Sequence, residues 1–150
     1  ADQRPLRSLP LLLQRRMSAP SPTPRKDEGN RLLGEGRLAE ALAAYDAGLA
    51  AGEGDAAVLH ANRAAVFLKL NNAAAALDAA DASTGVRPEY AKALFRRAQA
   101  LEALERRAEA HSTLRRLLSL DPGNREAAVA LRRIHAAVRD EAATAGPSGT

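Results

Sequence analysis

The sequence contains no cysteine and no tryptophan, and only 3% of its 150 residues are aromatic. A chain without cysteine forms neither disulfide bonds nor thiolate metal sites, which suits a reducing compartment. No apolar run reaches the roughly 18 residues that a bilayer-spanning helix requires, so we expect no membrane span. Segments in which valine, isoleucine and threonine alternate with polar residues are also missing, and this argues against β-strands.

Alanine is abundant instead, at about a quarter of all residues. It has the highest helix propensity of any residue, and its small side chain lets helices pack closely. The hydrophobic content of 46% is that of a globular protein, and the length suffices for one domain with one core. The sequence therefore predicts a single all-α domain.

The net charge of +4 is concentrated near the N-terminus. Residues 1–26 hold six of the 22 basic residues and one of the 18 acidic residues, which leaves 16 basic and 17 acidic groups for the rest of the chain. A nearly neutral helical body lacks the basic surface of a duplex-binding protein, so we expect no nucleic acid partner. The arginine pairs at 106–107, 115–116 and 132–133 are interpreted as a solvated convex face, because no aromatic residues are interleaved with them.

Residues 1–24 form a proline-rich leader that contains five of the eight prolines. Proline interrupts helices and disfavours helix at the preceding residue, so we expect this leader to be extended or disordered. Its arginine-rich, acid-poor composition is compatible with a mitochondrial presequence. The alternative to a presequence is that the native protein begins at Met17 and that residues 1–16 are not part of it. We expect the helical domain to cover residues 25–140 and residues 141–150 to form a flexible tail.

A turn followed by a helix recurs three times, in the segments 36–45, 71–80 and 106–114. Small residues recur at a nearly constant interval in these helices and in the helices before them, namely Ala41, Ala76 and Ala110, and Gly29, Ala64 and Ala98. A period of about 34 residues with two helices per unit is the signature of the tetratricopeptide repeat. The predicted fold is therefore a right-handed superhelix of three tetratricopeptide helix pairs, with a C-terminal capping helix at 125–139.

The first helix of each pair lines the concave face of such a superhelix, where ligands usually bind. Lys26 and Asn30 are four residues apart, as are Lys92 and Arg96, so each pair shares one face of its helix. Two cations so placed repel each other, and an anion held between them would remove that cost. With Asn62 from the second unit, three cations and two amides form a candidate receptor for carboxylates.

These residues resemble the clamp of the tetratricopeptide co-chaperones that hold the C-terminal Glu-Glu-Val-Asp tail of heat-shock chaperones of the seventy- and ninety-kilodalton classes. That family has Lys-x-x-x-Asn in its first helix, Asn in its third and Lys-x-x-x-Arg in its fifth, and all five positions match. The sequence around Asn62 and Arg96 is most similar to that of the N-terminal domain of UCS-type myosin chaperones. Asp27 and Glu102 depart from the pattern, and either would weaken anion binding if it faced the groove.

The resemblance also implies a role for each residue. The terminal aspartate would be held by Lys26, Asn30, Asn62 and Lys92, and Arg96 would contact an upstream acidic side chain or backbone oxygen. A secondary set would comprise Leu33 and Ala65, as an apolar floor for the peptide valine, and Lys69, as a contact for an upstream oxygen. The alternative for this secondary set is ordinary packing for Leu33 and Ala65 and plain solvation for Lys69.

Enzymatic interpretations find little support in the sequence. His60, His111 and His135 lie on separate helices, and no metal-binding, nucleophile or phosphate-loop motif accompanies them. We therefore expect no catalytic residues, no metal and no cofactor.

Two function classes stay open. The first is a cytoplasmic co-chaperone adaptor for chaperone tails, alone or joined to a client-binding domain in a larger chain. The second is a general scaffold that binds an internal peptide or helix of another protein.

Overall fold

The computed structural model describes residues 24–145, and it folds them into seven α-helices without a strand in that range. The helices are α1 (Arg25–Gly34), α2 (Leu38–Ala50), α3 (Ala56–Lys69), α4 (Ala73–Val86), α5 (Ala91–Ala103), α6 (Arg107–Leu120) and α7 (Arg125–Thr144). The all-α prediction is confirmed. None of the helices within residues 24–145 is long and apolar enough to cross a bilayer.

The helices pack as three antiparallel pairs followed by a single helix. Helix α1 packs against α2, α3 against α4 and α5 against α6, and each pair contacts the next, while α7 packs against α6. The first helices also touch one another, because α3 contacts both α1 and α5. Helices α1, α3 and α5 therefore form one continuous wall, and α7 extends the stack at its C-terminal end.

The turn inside each pair repeats the same backbone geometry. Gly36, Asn71 and Glu105 have φ angles of 77°, 57° and 62°, and they recur at the same interval as the predicted small residues. The N–H of the residue after each of them bonds back to a carbonyl five residues earlier, in Leu32, Phe67 and Leu101 respectively. Glycine adopts this left-handed conformation without strain and asparagine tolerates it, so the glutamate at the third turn is the exception.

The core is built from the small residues that the repeat predicts. Ala41, Ala76 and Ala110 are fully buried, and Ala64 and Ala98 are at most 2% exposed. In the first unit the small residue is Gly29, and a Cβ atom there would overlap the Tyr45 ring. Tyr45, which is fully buried, therefore occupies the space that a side chain at position 29 would need.

The C-terminal boundary differs from the sequence prediction. Helix α7 continues to Thr144, so residues 141–144 are helical and not part of a tail. In these last turns Glu141 forms an ion pair with Arg107 on α6, a contact that the polar sequence did not indicate. The leader, apart from Pro24 at the start of α1, and residues 146–150 lie outside the described residues.

Substituting Gly29→Ala should lower the free energy of unfolding by about 1–3 kcal/mol, because the new methyl group overlaps a fully buried ring. The matched control is Gly34→Ala, at the exposed end of the same helix, where no atom lies within 4 Å of the added Cβ. Alanine at position 34 should be neutral or slightly stabilising, because it favours helix more than glycine does. Urea unfolding of both variants measures the difference, and equal stabilities would contradict the packing argument.

Candidate functional site

Asn30 on α1 is held by two hydrogen bonds at the concave wall. Its Oδ1 accepts one from the hydroxyl of Tyr45, at 2.6 Å, and one from Nδ2 of Asn62 on α3, at 3.2 Å. Asn62 is buried, with 6% exposure, whereas Asn30 is exposed. The structure therefore brings the two predicted amides into direct contact.

In this network it is clear which groups donate and which group accepts. Burial raises the pKa of Tyr45 to about 12, so its hydroxyl stays protonated and donates to Asn30. With the amide oxygen of Asn30 occupied by two donors, the part of the side chain left for a ligand is its NH₂ group, which only donates. An exposed group that only donates hydrogen bonds suits an anionic ligand.

Lys26 and Lys92 provide two further donors on the first helices. Both are exposed, and neither forms an ion pair or hydrogen bond with another residue of 24–145. Lys26 lies one turn before Asn30 on α1, and Lys92 lies one turn before Arg96 on α5. Helix α3, which carries Asn62, contacts both α1 and α5, the helices that carry the two lysines. That the ammonium groups converge with the amides on one ligand stays a prediction.

Arg96 has a different environment from the two lysines. Its Nη1 donates to Oε1 of Gln99 at 2.9 Å, but its buried Nε has no partner within the described part of the chain. Burial lowers the pKa of the guanidinium, and the carboxylate of Glu126 opposes that shift. Arg96 thus has an unused donor and lies on the wall of a cavity.

That cavity, of about 900 Å³, lies between α5 and α7 and opens to solvent. Leu68, Phe95 and Val129 supply apolar wall, and Val129 is 52% exposed. Its other walls include Arg96 and Glu126. An apolar side chain flanked by polar groups would fit here; the lining includes Arg96 but neither of the two amides.

Glu102 is at this cavity as well, but its charge is compensated. Its two carboxylate oxygens accept hydrogen bonds from Nε and Nη2 of Arg133 on α7, at 2.9 and 2.6 Å. The sequence analysis raised Glu102 as a residue that would weaken anion binding if it faced the groove. The paired arginine neutralises it, so that objection loses its force.

The secondary residues lie on the same helices as the amides. Leu33 is half-buried and packs against the core of the first unit, and Ala65 is 8% exposed. Each is three residues beyond an amide, Asn30 or Asn62, and so shares its helix face. Lys69 is exposed at the end of α3. Their contact with a ligand stays a prediction.

Sequence reasoning missed two contributors to the site. Tyr45 orients Asn30, and the signal for it was an aromatic residue on α2 facing a glycine on α1. Helix α7, interpreted only as a cap, forms one wall of the cavity. The spacing of Glu126, Val129 and Arg133, at intervals of three and four residues, marks that wall as one face of the helix.

Comparison with known proteins agrees with this architecture. Residues 91–124 match the sequence profile of the tetratricopeptide repeat. The first tetratricopeptide domain of Spaghetti (RPAP3), solved with the HSP90 peptide SRMEEVD, is 33% identical and superposes with a TM-score of 0.74. The match covers 77% of this chain and 90% of that one.

The chain belongs to the tetratricopeptide repeat (TPR) family. The second TPR domain of human RPAP3, solved in complex with the HSP70 peptide SGPTIEEVD, is 34% identical with a TM-score of 0.70, over 75% of this chain and 92% of that one. These matches confirm the predicted TPR fold. The family is one of protein-interaction domains rather than enzymes.

Much longer proteins also contain a similar segment. Human sperm-associated antigen 1 is 33% identical over 112 residues, which is 70% of this chain and 12% of that protein. Protein unc-45 homolog B of Xenopus tropicalis is 34% identical over 124 residues, which is 80% of this chain and 13% of that protein. The resemblance to UCS-type chaperones is confirmed, and this TPR domain spans about an eighth of the length of these relatives.

Arg96 and Arg97 are adjacent, and we expect opposite effects of replacing them on stability. Arg97 bonds to Asp81 and Thr113, so Arg97→Met should lower the free energy of unfolding by about 1 kcal/mol. Arg96→Met removes a partly buried cation that has no ion pair among the described residues, so stability should stay level or rise by up to about 1 kcal/mol. Urea unfolding of both variants provides the test, and an Arg96→Met variant as unstable as Arg97→Met would make Arg96 a structural residue.

Proposed function

We propose that this TPR domain is a co-chaperone module that binds the C-terminal Glu-Glu-Val-Asp tail of heat-shock chaperones in its concave groove. The observation that carries the proposal is the orientation of Asn30, whose oxygen is occupied by Tyr45 and Asn62 while its NH₂ remains for a ligand. Two TPR domains of 33% and 34% identity support it, because the peptides in their structures end in the sequence Glu-Glu-Val-Asp.

In the proposed clamp, two carboxylates of the last aspartate are held by donors from three helices. Asn30 and Asn62 donate amide hydrogens, and Lys26 and Lys92 supply positive charge on either side. Charge-assisted hydrogen bonds contribute roughly 1.5–3 kcal/mol each, and ordering a flexible tail opposes them by several kcal/mol. The balance corresponds to an affinity of about micromolar, or about −8 kcal/mol.

Arg96 and the cavity beside it would receive the part of the peptide that precedes the last aspartate. Arg96, on the lining of the cavity, would donate from its guanidinium to an upstream carboxylate or backbone oxygen. Phe95 and Val129 would contact an apolar side chain ahead of the two glutamates. In the secondary set, Leu33 and Ala65 would support the peptide valine and Lys69 an upstream oxygen.

The wider setting is part of the same proposal. The relatives that match are several times longer, so we infer that the domain serves as the docking module of a larger, cytoplasmic chaperone-linked protein with a client-binding region elsewhere. The alternative function is a scaffold that binds an internal peptide or helix. The open, partly apolar cavity of about 900 Å³ favours that alternative, since it does not require a free carboxyl end.

A peptide that ends in free Glu-Glu-Val-Asp should bind at least about tenfold more tightly than its C-terminal amide, because amidation removes one of the two clamped charges. Lys92→Ala should weaken the free acid without changing stability, and Arg116→Ala on α6 is the control. Calorimetric titration measures all four affinities. Equal binding of acid and amide would favour the scaffold, and running both the HSP70-type and HSP90-type peptides would show which class is preferred.

Tyr45→Phe should weaken the free-acid tail several-fold, by about 1 kcal/mol, because Asn30 loses the stronger of its two donors and can rotate. The ring would still pack against Gly29, so the fold should persist. Tyr90→Phe is the matched control, because Tyr90 is half-buried and its ring packs under Arg87 instead. If Tyr45→Phe and Tyr90→Phe bound the tail equally well, the hydroxyl would have no part in the clamp.

A further inference from the structure

The three arginine pairs that the sequence placed on a solvated face are not equivalent in the structure. Three of these arginines form ion pairs with carboxylates, and a fourth donates to a backbone carbonyl: Arg106 with Glu109, Arg107 with Glu141, Arg133 with Glu102, and Arg116 with Pro88. The remaining two, Arg115 and Arg132, form no hydrogen bond or ion pair with any residue of 24–145. Both line one cavity between α6 and α7.

This cavity, which we call the α6–α7 basic pocket, has a volume of about 450 Å³. Two histidines and three arginines surround an apolar floor at Leu131; they are His111, Arg115, Arg132, His135 and Arg139. No carboxylate of the described residues lines it. Arg139 lies 3.6 Å from Asp140, but both side chains are about 70% exposed, so that pair is weak.

The repeat shows what these residues replace. At the two preceding interfaces an aspartate and an arginine form an ion pair, Asp46 with Arg63 and Asp81 with Arg97. One repeat period beyond Asp81 and Arg97, the equivalent positions hold Arg115 and Leu131. At the third interface, the position that holds aspartate in the first two is thus the basic Arg115, and the position that holds arginine is the apolar Leu131.

The histidines also occupy positions that are apolar elsewhere. Leu77 and Leu101 are buried in the core, and the equivalent positions one repeat period further along the chain hold His111 and His135. Nδ1 of His135 lies 3.3 Å from Nε2 of His111, so a single hydrogen fits between the two rings. Burial, His135 and Arg115 together lower the pKa of His111, and no carboxylate acts against them. Glu141, further along α7, forms an ion pair with Arg107 and is not part of the pocket lining.

The charges select the kind of ligand. Two histidine nitrogens at this spacing would suit a metal ion, but three guanidinium groups repel a cation, and residues 24–145 offer no cluster of three metal-ligating side chains. An anion would instead offset the mutual repulsion of the pocket. Guanidinium groups match a phosphoryl group geometrically, since their N–H donors face its oxygens in parallel pairs.

We propose that the α6–α7 basic pocket binds a phosphorylated serine or threonine side chain of a partner protein. Arg115 and Arg132 hold the phosphoryl oxygens, and the histidine pair adds a contact that strengthens on protonation. The concave shape and the apolar floor at Leu131 fit a side chain with its neighbouring residues. A nucleic acid fits less well, because the residues after position 26 carry 16 basic and 17 acidic groups and so lack an extended basic surface that would follow a phosphate backbone.

The pocket is separate from the concave groove. Helix α7 buries Ala127, Ala130 and Ile134 against the rest of the domain. Glu126, Val129 and Arg133 flank that buried line on the groove side, and the histidine and arginine positions flank it on the other side. Phosphate binding should therefore leave the affinity of the groove for a Glu-Glu-Val-Asp peptide unchanged, and failure of either proposal leaves the other standing.

The test is an NMR titration of the histidine ring signals of the 150-residue protein with a short phosphoserine peptide and its serine counterpart. The phosphopeptide should shift His111 and His135 saturably and bind at least about tenfold more tightly than the serine peptide. The double variant Arg115→Gln/Arg132→Gln should weaken it at least about tenfold, and Arg116→Gln should bind like the parent. Equal binding by the double variant, or a thymidine oligonucleotide that binds more tightly than the phosphopeptide, would overturn the proposal.

Sulfate serves as the probe of the histidine pair, because it stays doubly charged where a phosphate monoester loses charge, near pH 6. Its affinity should rise as the pH falls from about 7.5 to about 5.5, since protonated histidine attracts an anion and neutral histidine does not. The double variant His111→Gln/His135→Gln should lose this pH dependence. A sulfate affinity that is flat with pH in the parent would remove the histidines from the site.

Discussion

The contact of the Tyr45 ring with the bare backbone of Gly29 is the constraint on which the groove depends. Because no side chain stands at position 29, the ring enters the core fully and its hydroxyl reaches Asn30 at the surface of the concave wall. A single aromatic residue therefore links the packing of the first helix pair to the orientation of a ligand-facing amide. Asn62, buried on the next unit, bonds to the same oxygen and ties the second pair into the arrangement.

Ion pairs also recur at equivalent positions of the interfaces between units. Asp46 with Arg63 and Asp81 with Arg97 join successive pairs at equivalent positions, and each is partly exposed, so each contributes little by itself. Their main effect is to neutralise the charge of Arg63 and Arg97, which would otherwise have no acidic partner. Where the pattern stops, between α6 and α7, the free arginines and the two histidines collect in one place. At the end of a repeat array no further unit packs on the last helix, so fewer of its side chains are fixed by contacts between units.

The sequence was sufficient to predict the repeat because small residues at a fixed period are a local signal that survives without any knowledge of tertiary contacts. Ala41, Ala76 and Ala110 are buried as that period requires, and the turn predicted at the start of the segment 36–45 falls between α1 and α2. The clamp residues were found by resemblance, and their registers place them on α1, α3 and α5. Contacts between distant side chains were not predictable in this way. Glu141 near the end of α7 pairs with Arg107, Glu102 pairs with Arg133, and Asn30 accepts a hydrogen bond from Tyr45. None of these pairs follows from periodicity.

A ligand held by the proposed clamp would also stabilise the stack of helix pairs, because its contacts would come from three consecutive units. In a repeat protein each unit is stabilised mainly by its neighbours, so an unstacked unit loses little beyond its own interface. The alanine-rich helices here bury small side chains, which limits the area that each interface removes from water. A ligand that binds only when α1, α3 and α5 are stacked adds its binding free energy to that stacking, about 2.7 kcal/mol at a hundred times its dissociation constant. If the proposed clamp holds the tail, cooperative stacking and tail recognition are one equilibrium, and Tyr45 and Asn62, which both bond to Asn30, would couple the two.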